Sequence, residues 1–83
     1  MIFKEVNGFE ADLTFSDLEN KWVGKVLSWG PFWSVPWRNP DKPLTNDMDI
    51  EFIQGPYGDW VISDSNLPWF ILYPEKGTID HYR

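Results

Sequence analysis

The chain of 83 residues contains no cysteine and only one histidine, His81. The absence of cysteine excludes a disulfide framework, a cysteine-ligated zinc site and a thiol nucleophile. A single histidine also excludes a histidine-rich metal centre. Because a chain without cysteine is compatible with a reducing compartment, we expect a cytoplasmic protein.

The sequence also lacks the segments that direct export or membrane insertion. Residues 1–15 contain no basic leader followed by an apolar core, and no apolar run reaches the length of about 18 residues that a membrane span needs. We therefore expect no membrane association. The length predicts one small domain over residues 1–83, and the initial Met1 without a linker-like segment is expected of a complete small gene product.

Positive charge is scarce, since 7 Lys and Arg stand against 13 Asp and Glu, for a formal net charge of -6. This balance disfavours binding to phosphate backbones or anionic lipid, which argues against nucleic acid as a partner. A partner that is reached electrostatically should be a larger protein with a basic surface. The charge equally serves to keep a small aromatic-rich protein soluble, so composition alone leaves both interpretations open.

The first third of the chain predicts a β-hairpin over residues 2–15. Asn7-Gly8 is the preferred central pair of a type I′ turn. Apolar side chains alternate with polar ones after it, as expected of a strand with one buried face. The alternating apolar residues are Phe9, Ala11, Leu13 and Phe15.

The next segment, residues 18–29, fits either a helix or a strand. Ser16 and Glu19 have the spacing of a capping box, which predicts a helical turn there. However, Gly24 would cost a helix interior about 1 kcal/mol, and several neighbouring side chains are β-favouring types. The pattern favours a strand.

The remainder of the chain predicts one long loop and several short strands. Residues 30–47 are rich in Trp and Pro and form a long ordered loop or edge segment. Beyond it, a hairpin is predicted in which Ile50 pairs with Ile62 and Phe52 with Trp60. The run WFILY, residues 69–73, is typical of a central strand, and residues 78–82 of a short edge strand.

These elements predict a mainly β fold, α+β at most. We expect one antiparallel sheet or a small open barrel of five or six short strands. At most one short helix is expected, near residues 17–28, and the Trp/Pro-rich loop 30–47 should cap one face.

The sequence offers no catalytic equipment that can be recognised. It contains no cofactor-binding glycine motif and no specific Ser, His and Asp arrangement. Paired carboxylates carry no signal without a cleft. We therefore expect a protein that is not an enzyme and uses no cofactor.

One acidic row stands out in the predicted hairpin. Asp47, Asp49 and Glu51 would lie on one strand face about 6.6 Å apart, with Asp59 extending the row across the hairpin. Three interpretations compete: a solvated strand face, a cation site, and a decoy that occupies a basic, nucleic-acid-binding groove on another protein. A flat strand splays its carboxylates, so a metal site is not expected.

The aromatic loop is the second candidate site. Most of the rings of Trp29, Phe32, Trp33 and Trp37 are expected to fold back and cover an open face of the sheet. One or two of them, Trp33 and Trp37, could stay exposed and anchor a partner, with Arg38 beside them.

The function expected from these features is that of a small acidic inhibitor or regulator that blocks a basic site on a larger protein. The acidic row would steer the encounter, and loop Trp residues would supply most of the affinity. Such proteins occur among phage counter-defence factors and immunity proteins, an analogy of size and charge only. Two alternatives stay open: a module that binds a sugar or cationic ligand through the loop Trp residues and Tyr57, and a minor structural subunit of an assembly.

Overall fold

The computed structural model describes residues 1–34, 44–64, 67 and 69–81, with residues 33 and 34 described by their backbone only. Seven strands and one short 3-10 helix account for most of these residues. The strands are β1 (Ile2–Glu5), β2 (Glu10–Ser16), β3 (Lys21–Ser28), β4 (Asp49–Gln54), β5 (Trp60–Ile62), β6 (Phe70–Tyr73) and β7 (Thr78–His81), and the 3-10 helix is Gly30–Ser34.

The strands form a closed barrel in the order in which they occur along the chain. Each strand is antiparallel to the next, and β7 closes the barrel on β1 with a parallel pairing, Lys4 with Thr78 and Glu5 with Ile79. The mainly β prediction is confirmed, but the expected open arrangement of five or six strands is wrong. Residues 78–81 are not an edge, because β7 is paired on both sides.

The segment between residues 17 and 28 resolves as a turn followed by the longest strand. The amide of Glu19 donates to Oγ of Ser16 at 3.3 Å, as a capping box would, but the chain then reverses through Asn20, whose φ is 54°. No helix follows, and β3 begins at Lys21. The preference for a strand is therefore confirmed, and the helix permitted near residues 17–28 is absent from the described chain.

The first hairpin has a different turn from the predicted one. The Gly8 amide donates to the Glu5 carbonyl at 3.0 Å, and the Glu5 amide donates to the Phe9 carbonyl at 2.8 Å. Gly8 has a φ of 118°, whereas Asn7 does not have a positive φ. The connection is thus a three-residue loop ending in a glycine bulge instead of a type I′ pair.

Alternation along the strands sorts the side chains into an interior and an exterior set. The inward positions carry most of the large apolar residues, and Phe9 and Phe70 stack at the centre with ring centroids 4.2 Å apart. The buried core consists of Phe3, Phe9, Ala11, Leu13, Val26, Trp29, Phe32, Ile50, Phe52, Ile62, Leu67, Phe70, Leu72 and Ile79. The interior of the barrel is therefore a packed core.

The chain after β3 covers one end of the barrel. Trp29 and Phe32 are buried there, and the indole Nε1 of Trp29 donates to the carbonyl of Thr45 at 2.7 Å. The expectation that loop aromatics complete the core is confirmed for these two rings. At the opposite end, the rings of Phe15, Trp22 and Trp60 meet at centroid distances of 5.4 and 5.8 Å and are only partly buried.

Candidate functional site

Because core side chains occupy the interior, the candidate site lies on the outside of the barrel. The exterior of β4, β5 and β6 carries an apolar row. Ile53 faces Val61, and Val61 faces Ile71, each across one strand pairing. Neighbouring strands lie about 4.8 Å apart, so the three side chains form one continuous band. Ile53 is 41 % exposed, so the band is accessible to solvent at this residue.

An open groove with a volume of about 520 Å³ lies beside this band. We call it the exterior groove and define it by Pro56, Tyr57, Asp59, Val61, Trp69 and Ile71. Its size lies in the range of about 300 to 1,000 Å³ that is typical of ligand pockets. Two of its aromatic side chains are accessible, since Tyr57 is 94 % exposed and Trp69 43 % exposed.

The β4–β5 turn places Tyr57 and Asp59 at the groove. The Gly58 amide donates to the Gly55 carbonyl at 3.0 Å, the Gly55 amide donates to the Asp59 carbonyl at 2.6 Å, and Gly58 has a φ of 82°. This is the same three-residue loop as in the first hairpin. It projects Tyr57 from the tip of the turn and returns the chain into β5 directly after Asp59.

Among the described side chains that line the exterior groove, Asp59 carries the only charge. Its Oδ1 atom is buried and has no hydrogen-bond partner, and Asp59 forms no ion pair within the described residues. The same oxygen lies 2.7 Å from the position that a Cβ atom on Gly55 would occupy. The carboxylate therefore packs over the turn where only a glycine leaves it room.

This position of Asp59 corrects the predicted acidic row. The observed register pairs Phe52 with Ile62 and Gln54 with Trp60, two residues away from the predicted one. Because the shift is even, the apolar side chains still face inward, as predicted. The neighbour of Glu51 across the hairpin is Ser63, whose amide donates to the Glu51 carbonyl at 2.9 Å. Asp59 thus belongs to the groove and does not extend the row.

The rest of the acidic row is shorter than predicted and is matched by cations. Asp47 precedes β4 in a turn with a φ of 66°, so only Asp49 and Glu51 share the outward face of that strand. Lys25 Nζ lies 3.1 Å from Asp49 Oδ1. Lys21 Nζ lies 3.0 Å from Glu51 Oε1.

Lys21 also contacts Glu19 at 3.0 Å, so two carboxylates surround its ammonium group. Hydrogen bonds to Glu51 and then to Glu19 raise the pKa of Lys21 above its ordinary value, against a smaller effect of desolvation. The outward face of β3 and β4 is therefore a ladder of alternating charge, with less net negative charge than the sequence of β4 alone indicates.

The other sequence-predicted site residues cannot be placed. Trp37 and Arg38 lie outside the described residues, and so does the side chain of Trp33. Their proposed role as anchors stays a prediction. Within the described residues, no group of three or more potential ligands is arranged to hold a metal ion. No helix of that part of the chain is long and apolar enough to cross a membrane.

No family model, curated protein or solved structure matches this chain. The candidate site therefore depends on the geometry of the barrel alone.

Sequence reasoning missed the part of the groove contributed by β6. The run WFILY was interpreted only as a central strand, with no outward face assigned to it. In a one-layer barrel, however, alternate residues of any strand must face outward, so Trp69, Ile71 and Tyr73 lie on the opposite side from Phe70 and Leu72. The sequence did carry a signal for this outer apolar face. It was an unbroken apolar run in a chain too short to form a second layer over the barrel.

Proposed function

We propose that this protein is a small, non-enzymatic binding protein that docks on a basic surface of a larger protein and acts there as an inhibitor or regulator. The observation that carries the proposal is the exterior groove, which presents Tyr57 and Trp69 beside an apolar band on the outside of the barrel. Aromatic side chains in such positions are enriched at protein interfaces and often supply most of the binding energy.

Charge supports a basic partner. The chain has a net charge of -6, and no Lys or Arg among the described residues lines the exterior groove. Glu51 lies on β4 next to Ile53, and Asp80 faces Ile71 across β6 and β7, so carboxylates border the apolar band on two sides. Carboxylates beside an apolar centre steer a partner of the opposite sign and select against others.

In this proposal the two parts of the surface have separate roles. The carboxylates act at long range and raise the rate of association, which makes that rate sensitive to salt. Tyr57 and Trp69 act at contact and lower the rate of dissociation. The partner is inhibited because the bound barrel occludes its basic site.

The test is affinity capture from lysate with the wild-type protein, the variants Tyr57→Ala and Trp69→Ala, and the control Leu18→Ala. Leu18 is 96 % exposed and lies in the β2–β3 turn, so its truncation removes an apolar side chain away from the groove. A basic protein retained by wild type and Leu18→Ala, weakened at high salt and lost with both groove variants, supports the proposal. Retention that is equal for all four proteins contradicts it.

A small-ligand module is the second candidate, because Tyr57 lines a groove of suitable volume. Its aromatic neighbour within the described residues is Trp69. Titration of a panel of sugars and cationic ligands, followed by tryptophan fluorescence, tests this candidate. A saturable change that Tyr57→Ala removes and Leu18→Ala preserves would favour it over the first.

A further inference from the structure

We infer that the exterior groove seats one arginine side chain of the partner protein, with Asp59 as its counter-ion and Tyr57 and Trp69 as its aromatic contacts. This inference rests on the proposed function and specifies the chemistry that the groove recognises. Three observations support it: an unmatched carboxylate, two accessible rings and the mostly apolar lining of the groove.

The unmatched carboxylate is Asp59. Buried carboxylate oxygens are almost always hydrogen-bonded, because an unpaired one loses its hydration without compensation. Oδ1 of Asp59 is buried and lacks a partner, while the other carboxylates described on the β3–β4 exterior, Asp49 and Glu51, both have a lysine within 3.1 Å. A cation brought by another molecule would supply the charge that the described residues of this chain do not place there.

The accessible rings favour a cation over a neutral group. Tyr and Trp attract cations through the negative faces of their rings, and the chain already uses this contact nearby. Lys76 Nζ lies 5.1 Å from the centroid of the ring of Tyr73, which is the last residue of β6, the strand that begins directly after Trp69. Tyr57 and Trp69 line the groove with Asp59, so a cation there can contact a ring and the carboxylate together.

The lining of the site favours arginine over lysine. A guanidinium group is planar, stacks on aromatic rings, and is more weakly hydrated than an ammonium group. It therefore loses less hydration free energy on entering a groove whose remaining walls are mostly apolar, such as Val61 and Ile71. Its fork of donors can also bind a carboxylate through two hydrogen bonds.

The test uses three blocked tripeptides, acetyl-Gly-Xaa-Gly-amide, in which the central residue is arginine, lysine or citrulline. Citrulline has nearly the shape of arginine but no charge. Binding is followed through the amide signals of the β4–β5 turn, β5 and β6, and through the Trp69 indole signal, in nitrogen-15 NMR spectra. We expect saturable shifts at these signals with the arginine peptide and an affinity roughly tenfold lower with citrulline.

Two variants separate the role of Asp59 from that of overall charge. Asp59→Asn should weaken binding of the arginine peptide roughly tenfold, whereas the matched control Asp17→Asn, which removes one charge from the β2–β3 turn, should leave it within about twofold. Gly55→Ala keeps the charge but places a Cβ atom 2.7 Å from the observed position of Oδ1, so it should displace the carboxylate and weaken binding as well. Circular dichroism checks that each variant is folded.

The outcomes separate this inference from the proposed function. Equal binding of arginine and citrulline peptides, or unchanged binding by Asp59→Asn, overturns the arginine site, and equal binding of the lysine peptide overturns the choice of arginine. If Asp59→Asn still captures the partner while Tyr57→Ala does not, the docking surface stands and the arginine site falls. If the arginine peptide binds through Asp59 but no protein is captured, the proposed function fails instead.

Discussion

Lys25 faces Asp49 directly across β3 and β4, with its Nζ 3.1 Å from Oδ1 of the carboxylate. Both side chains are more than half exposed, so the pair contributes less than about 1 kcal/mol to stability. The pair matters for the charge of the surface, because lysines neutralise half of a row that the sequence presents as purely acidic. Substitutions at these positions can therefore change the surface charge with little effect on the free energy of unfolding.

The first prediction concerns Asp49 and Glu51. Reversal of both charges, Asp49→Lys with Glu51→Lys, should slow association with the captured basic partner several-fold at low salt and much less at high salt, since only the encounter is steered by charge. The control is Asp17→Lys combined with Glu75→Lys, an equal change of charge in the β2–β3 and β6–β7 turns. Stopped-flow or surface plasmon resonance kinetics measure both. Association rates that fall equally in the two double variants would show a net-charge effect without a defined face.

A second prediction concerns Gly24 in β3, where an added Cβ atom would clash with the backbone of Asp12 and Leu13 on β2. Gly24→Ala should destabilise the barrel by about 1 to 3 kcal/mol or more, although alanine is otherwise tolerated in strands better than glycine. Val23→Ala, its outward neighbour, should cost less than about 1 kcal/mol. Urea unfolding compares the two, and a Gly24→Ala variant as stable as wild type would mean that β2 and β3 are not this close.

The third prediction concerns Phe70, the ring that links the barrel interior to its covered end. It stacks on Phe9 and meets Phe32 edge-on at 5.2 Å. Phe70→Ala should lower the free energy of unfolding by about 3 to 5 kcal/mol, which is a large part of the total for a domain of this size. Phe70→Leu should lose clearly less. Tryptophan fluorescence during urea unfolding reports both values, and a loss below about 1 kcal/mol for the alanine variant would be incompatible with the packed core.

The fourth prediction follows from the raised pKa of Lys21. A pKa that is raised above the ordinary value of 10.5 in the folded state means that the folded protein holds this proton more tightly than the unfolded chain. The stabilisation is fully present below pH 10.5 and is lost as the pH rises through the folded-state pKa.

Lys21→Gln should therefore remove part of the alkaline loss of stability. The measurement is the urea midpoint of both proteins as the pH is raised from neutral to strongly alkaline values, with Lys4→Gln as the control for general charge. Parallel curves for wild type and Lys21→Gln would show that the two carboxylates do not hold the ammonium group in solution.

The fold was partly predictable because each strand carries its own signal. Alternation at Phe9, Ala11, Leu13 and Phe15 correctly predicted which side of β2 faces the core. In the β4–β5 hairpin, the predicted inward and outward faces are correct although the predicted register is wrong by two residues. An even shift of register leaves every side chain on the same face of the sheet. The candidate site was less predictable, since Asp59 and Tyr57 could be named but their neighbour Trp69 could not.

The sequence by itself determined the β class, the inward pattern of the strands and the acidic character of the surface, since all three depend on residue types and short-range spacing. Only the tertiary structure decided that seven strands close on each other, that Lys21 and Lys25 neutralise the row on β4, and that Tyr57, Asp59 and Trp69 share a groove. The physical reason is that closure and register depend on pairings between distant segments. Their free energy comes from packing the whole core at once, which no local pattern records.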